Sequence, residues 1–328
     1  MQNMKWSREV LVSGFVLAFA VFAPSFPALR AQIFDTNDLW LKIALTNNVA
    51  AFTIHAPATN ANGVYDLYFK TNLTDNQDWT WLLRNGPGQT NLVVTNLPPG
   101  QGFFRLGVTN AIRPGFDQQI LDRNDDGSTA KVPIGFLINF FGSSNATLYV
   151  NNNGNVTFDN AQSAYTPTPL NKLGISIIAP YWADVDTRNT ASDVVKYGTN
   201  TVNGHNAFGV DWVNVGYYAY HADKLLSCQL VIIDRSSGNA PGDFDMEFNY
   251  FKVQWETGDA SNGVNGLGGS SARACYASVS GSTFELDGSG VPGSFLDTNV
   301  VTGLIYQSLN SSVPGRYIFY FRNGEPLP

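Results

Sequence analysis

The sequence predicts an all-β fold, mainly antiparallel and divided into two folded units. Short apolar and aromatic runs recur at roughly ten-residue spacing and are punctuated by Asn, Gly and Pro. Around them, Phe244, Met246, Phe248 and Tyr250 alternate with Asp243, Asp245, Glu247 and Asn249, the period of a strand with one apolar and one wet face. The 328 residues are 44% hydrophobic and 13% aromatic but only 14% charged, a balance that excludes disorder and allows sizeable cores.

The first 31 residues read as an export signal. Lys5 and Arg8 precede the apolar run Val10 to Phe22, which is too short to span a bilayer. Pro24 and Pro27 break it, and cleavage is expected after Ala28 or Ala31, with Ala31 preferred. No second run of membrane length follows, so the mature chain is expected to be secreted and to have no membrane span. The net charge of −7 and the lack of any Lys/Arg run disfavour nucleic acid and anionic membranes as partners.

Residues 33–110 read as a small β-sandwich-like module. Its strand candidates are 39–45, 49–56, 65–72, 79–85, 91–97 and 102–108, separated by Asn- and Gly-Pro-rich turns. Residues 111–120, centred on Pro114-Gly115, read as a linker. A larger β domain then occupies 121–328.

That domain opens on LDRNDDGST. Asp122, Asn124 and Asp126 before Gly127 match the first half of a calcium loop, but Pro133 stands where a bidentate Glu would close it. The stretch therefore reads first as an Asx-type turn. Next, 147–150 and 156–158 flank Asn153-Gly154, the mark of a hairpin with a tight primed turn. The run 175–179 leads into Pro180-Tyr181-Trp182 and the acidic turn Asp184-Val185-Asp186. Further strands are expected at 194–200 and at 206–220, where the alternation shifts parity as at a bulge. A long hairpin follows over 225–255, then strands at 272–280 and 316–324, with one candidate helix at 298–308.

Candidate chemistry is sparse. Asp184 with Asp186, the β-face acids 243–247, Glu256 and Asp259 offer the carboxylate spacing a glycosidase needs, or metal ligands. Acids alternating along a strand more commonly serve to solvate it. His55, His205 and His221 form no zinc motif, no nucleophile elbow occurs, and Gly266-Leu267-Gly268-Gly269 lacks the context of a phosphate loop. Trp182, Trp212 and Trp255 read as core residues, with sugar stacking as the alternative. Cys228 and Cys275 permit a disulfide, worth roughly 4 kcal/mol for a loop of this size, or else two separate buried thiols. No catalytic, cofactor or metal residue is assigned.

The order LYVNNNGNVTF (148–158), APYWADVD (179–186), VGYY (215–218), DFDMEFNY (243–250) and QWETGD (254–259) resembles the NIDO, or nidogen-like, domain. The likeness runs from about Leu121 to Phe321. The family is an extracellular adhesion module to which no catalytic residues are attributed. The resemblance implies a non-enzymatic protein of cell–matrix adhesion or recognition with an extracellular protein or glycan as ligand. A carbohydrate-binding or carbohydrate-active surface protein is the alternative. Binding is expected on the loops after Asp186, at 258–271 and at 287–294, where Gly, Asn and Ser sit on a β frame.

Overall fold

The computed structural model describes residues 16–20, 40–46, 49–56, 64–72, 79–95, 102–170, 173–236 and 240–327. These residues are almost entirely strand and turn, and they divide into two compact units between Thr109 and Asn110.

The first unit has two antiparallel sheets. Its seven strands are β1 (Val16–Ala20), β2 (Trp40–Thr46), β3 (Val49–His55), β4 (Asp66–Lys70), β5 (Thr80–Arg84), β6 (Asn91–Val94) and β7 (Gly102–Gly107). The orders are β1-β7-β4-β5 and β2-β3-β6. Alternate residues of β3, β4 and β7 point inward, so Phe52, Ile54, Leu67, Phe69, Phe104 and Leu106 make one core. A buried ion pair lies beside it. Arg84 donates to both oxygens of Asp66 at 2.9 Å, and Trp81 Nε1 and Thr109 N donate to the same carboxylate. β1 falls inside the run read as an export signal and pairs with β7. The expected cleavage point at Ala31 lies outside the described residues.

The second unit is also built of two sheets. One contains β9 (Val132–Phe140), β10 (Ser143–Asn151), β11 (Asn155–Thr157), β12 (Ile177–Trp182), β18 (Arg273–Ala277) and β19 (Thr283–Glu285). The other runs β21-β20-β17-β16-β15-β14-β8. Its strands are β8 (Gln119–Leu121), β14 (Val195–Val202), β15 (His205–Tyr217), β16 (His221–Asp234), β17 (Phe244–Val253), β20 (Arg316–Arg322) and β21 (Glu325–Pro326), and the short β13 (Val185–Asp186) pairs with β15. Aromatic rings join the sheets: Phe140 and Tyr276 of the first pack on Phe321 of the second at 5.5 and 5.4 Å. Tyr250 donates its hydroxyl to Pro180 O across the core.

The expected alternation of β17 holds, but its polar face is not wet. Asp245, Glu247 and Asn249 are all buried. Arg235 and Arg322 clamp Asp245, while Arg113 and Arg316 flank Glu247. The stretch 111–120, expected as a linker, lies across this face. Arg113 exchanges backbone hydrogen bonds with the Gln229 side chain, and Phe116 packs on Ala207, Val231 and Ile233. Gly209 makes room for it, since a Cβ there would sit 2.4 Å from the Phe116 ring.

The expected shift in β15 is a bulge at Asn214, where the register with β16 slips between Val213 and Val215 and φ is +55°. Residues 298–308 form turns and not the expected helix. Gly303 sits inside the stretch, Val300 and Val301 point to solvent, and no apolar stripe forms. Cys228 of β16 and Cys275 of β18 are buried and free, so the disulfide is absent and the separate-thiol reading stands.

Candidate functional site: an acidic pocket at the hairpin tip

Three chain segments meet at the end of the second unit: the loop 122–128, the β10–β11 hairpin tip, and the turn between β12 and β13. The tip has three residues, Asn152-Asn153-Gly154, and only Gly154 takes positive φ, at +73°. It is therefore wider than the expected two-residue primed turn. Gly154 presses against β12, where a Cβ would stand 1.7 Å from Tyr181 O. The tip asparagines are fully buried and act as connectors. Asn153 donates to Asp126 Oδ1 at 2.9 Å and accepts from Val185 N at 3.1 Å. Asn152 donates from Nδ2 to the carbonyls of Asp125 and Val185. Trp212 Nε1 holds the tip from below through the carbonyls of Asn151 and Asn152.

This scaffold brings Asp125, Asp126 and Asp184 together, with one carboxylate oxygen of each within 4.8 Å of the others. Asp184 is 1% exposed and Asn152 not at all. Asp125 Oδ1, Asp184 Oδ2 and Asn152 Oδ1 are buried with no hydrogen-bond donor in reach. Asp186, two residues on, has a different environment. Arg188 donates to it from N, Nε and Nη2, and Tyr220 N adds a fourth bond. Arg188 also reaches Asp125 Oδ2 at 3.0 Å and lies 4.1 Å over the Tyr220 ring.

The electrostatics follow this division. Burial, then the neighbouring Asp125, Asp126 and Asp186 charges, push Asp184 up to about 7. Burial and the Asp186 charge push Asp125 up to about 6, against the pull of Arg188. Burial also acts on Asp186, but the hydrogen bonds from Arg188 and Tyr220 outweigh it and hold the group below its ordinary range.

Of the residues singled out in the sequence, the structure unites Asp126 with Asp184 and leaves Asp122 outside. Asn124 makes the expected Asx turn, its Oδ1 accepting from Gly127 N. Asp125, Asn152 and Asn153 were missed as members of the site. The available signal was the triple Asn before Gly154, one more amide than a turn requires. Glu256 is buried and accepts from Gly268 N and Gly293 N, so it ties the two Gly-rich loops together. Asp243 accepts from Asn323 N, and Asp259 lies 3.5 Å from His221. The loop after Asp186 is pinned by Arg123, whose Nη1 donates to Thr187 O, Asn189 O and Ser192 O at 2.7 Å. Trp182, Trp212 and Trp255 are all core residues, each with its indole N–H on a backbone carbonyl.

The nidogen-like domain profile matches residues 146–323, which takes in the hairpin tip, the Asp184 turn and most strands of both sheets. The chain belongs to the nidogen-like domain family. The loop bearing Asp125 and Asp126 precedes the matched region of the nidogen-like domain. Mouse alpha-tectorin is 32% identical over 220 residues, which cover 60% of this chain and 10% of that protein. Human alpha-tectorin is 31% identical over the same shares. The nidogen of Drosophila melanogaster is 26% identical over 218 residues, 59% of this chain and 15% of its own length. The chain thus spans a small part of these relatives. No solved structure matches. Among the described residues, no helix is long and apolar enough to cross a membrane.

Proposed function

We propose that the chain is a secreted, non-enzymatic protein of extracellular recognition, engaging a matrix or cell-surface protein through the loops of its nidogen-like domain. Alpha-tectorin and nidogen are proteins of the extracellular matrix, which supports the compartment. The observation that carries the reading is the sealing of the groups a sugar enzyme or lectin would use. The β17 acids are locked in arginine pairs, Glu256 is spent on loop amides, and the three domain tryptophans face the core. What remains outside is a pair of Gly-rich loops held on one buried carboxylate, with Val264 71% exposed and Leu267 and Val291 also facing solvent. A rigid frame carrying small apolar tips suits protein recognition.

The test is binding of the immobilised chain to a panel of matrix proteins, with a glycan array alongside. Saturable protein binding that falls at least tenfold in the Val264→Ser, Leu267→Ser double variant, without loss of thermal stability, supports the proposal. Glycan binding alone, or glycoside hydrolysis, overturns it. Intact-mass analysis of the exported chain is expected to find Gln32 at its start, following removal of the signal.

A further inference from the structure

We propose that Asp125, Asp126 and Asp184, with the Asn152 side-chain carbonyl, form a Ca2+ site. The site holds more oxygen acceptors than its donors, Asn153 Nδ2 and Arg188, can satisfy. Asp184 Oδ2, Asp125 Oδ1 and Asn152 Oδ1 are buried without a partner, whereas buried polar atoms in folded proteins are nearly always bonded. The Asn152 amide is anchored through Nδ2 on Asp125 O and Val185 O, between the two acid-bearing turns, and its Oδ1 is buried and unpaired. Four carboxylates, counting Asp186, face one guanidinium, Arg188, which is already committed to Asp186 and to the outer oxygen of Asp125. A cation is the partner that answers both the unpaired acceptors and the excess negative charge.

The donor set selects the ion. Only oxygen ligands converge, and neither His nor Cys belongs to the cluster, so zinc and copper are disfavoured. Ca2+ takes about 6–8 oxygens at about 2.4 Å, so two ligands on opposite sides stand about 4.8 Å apart. The three carboxylates meet that span without rearrangement. They come from two loops, Asp125 and Asp126 from one and Asp184 from the other, with no octahedral symmetry imposed, which suits Ca2+ better than Mg2+. The ion would pin the loop 122–128 and the Asp184 turn to the hairpin tip.

Calorimetric titration of the EDTA-stripped chain with CaCl2 is the test, followed by thermal unfolding with and without Ca2+. One Ca2+ per chain and a raised Tm are expected, with Asp184→Asn and Asp126→Asn each weakening binding at least tenfold and Asp287→Asn leaving it unchanged. In EDTA, Asp184→Asn should unfold no earlier than the parent, because it removes one of the crowded charges. Should that variant not fold, Asp126→Asn decides, since an amide oxygen there still accepts from Asn153 Nδ2. The proposal is overturned by an absence of Ca2+ heat and Tm shift in the parent chain, by Ca2+ binding that survives both substitutions, or by Mg2+ binding as tightly. Such a result would leave the recognition reading standing, since that reading rests on the loops.

Discussion

Arg113 grips both carboxylate oxygens of Glu247, Nε at 2.6 Å from Oε2 and Nη2 at 2.9 Å from Oε1. The two residues are 134 positions apart, and the pair closes the polar face of β17 beneath the segment that enters the second unit. Arg113→Ala leaves a buried carboxylate with Arg316 at 3.6 Å and the Asn249 amide at 3.2 Å as its remaining partners. Breaking such a pair costs about 3 kcal/mol, to be read as a lowered urea midpoint at unchanged m-value. No shift in that midpoint would mean that the ion pair does not seal the face.

The hairpin tip depends on one glycine. Gly154→Ala must hold φ near +73° and place a methyl group on Tyr181 O. We expect a loss of more than about 2 kcal/mol. Gly142→Ala is the control. Its φ is +82° with nothing within 4 Å, so only the conformational penalty of about 1 kcal/mol applies. Equal Tm losses in the two variants would refute the contact argument.

Asp211 supplies a pH dependence. It is buried on β15, accepts from Gln229 Nε2, and faces Asp117 and Lys196. Burial pushes it up to about 7, above its value in the unfolded chain. The native state therefore binds the extra proton between about pH 4 and pH 7, and stability falls as pH rises through that window. Asp211→Asn keeps the Gln229 bond and removes the titration. The variant should match the parent at pH 4 and exceed it by on the order of 3 kcal/mol at pH 8. The difference between the two stability curves cancels Glu247, whose lowered value gives the opposite slope. A difference that is flat with pH would refute the assignment.

The two thiols give a direct check on the core. Burial raises Cys228 and Cys275 well above the ordinary thiol range, and both are free. Iodoacetamide should leave the native chain unlabelled and add two groups under non-reducing denaturation. A chain that takes label only after reduction would contain the disulfide.

Most of the longer strands, the 225–255 hairpin, the bulge near Asn214 and the Asx turn at Asn124 were legible in the sequence, whereas β9 and the short β8, β19 and β21 were not. Each legible feature is set by contacts within a few residues, so period and turn chemistry carry them. Alternation in β17 told which residues share a face, but not what covers that face. Its acids looked solvated because the arginines that cover them, Arg113 and Arg316, come from distant segments. The acidic pocket was half-visible for the same reason. Asp122, Asn124 and Asp126 stood at calcium-loop spacing, and the tertiary structure chose Asp125 and Asp126. The hairpin tip fixes which loop side chains turn inward, through amides that bond both the 122–128 loop and the Asp184 turn. Local sequence sets backbone period. The partner of a buried charge is decided only when the chain closes on itself and excludes water from around it.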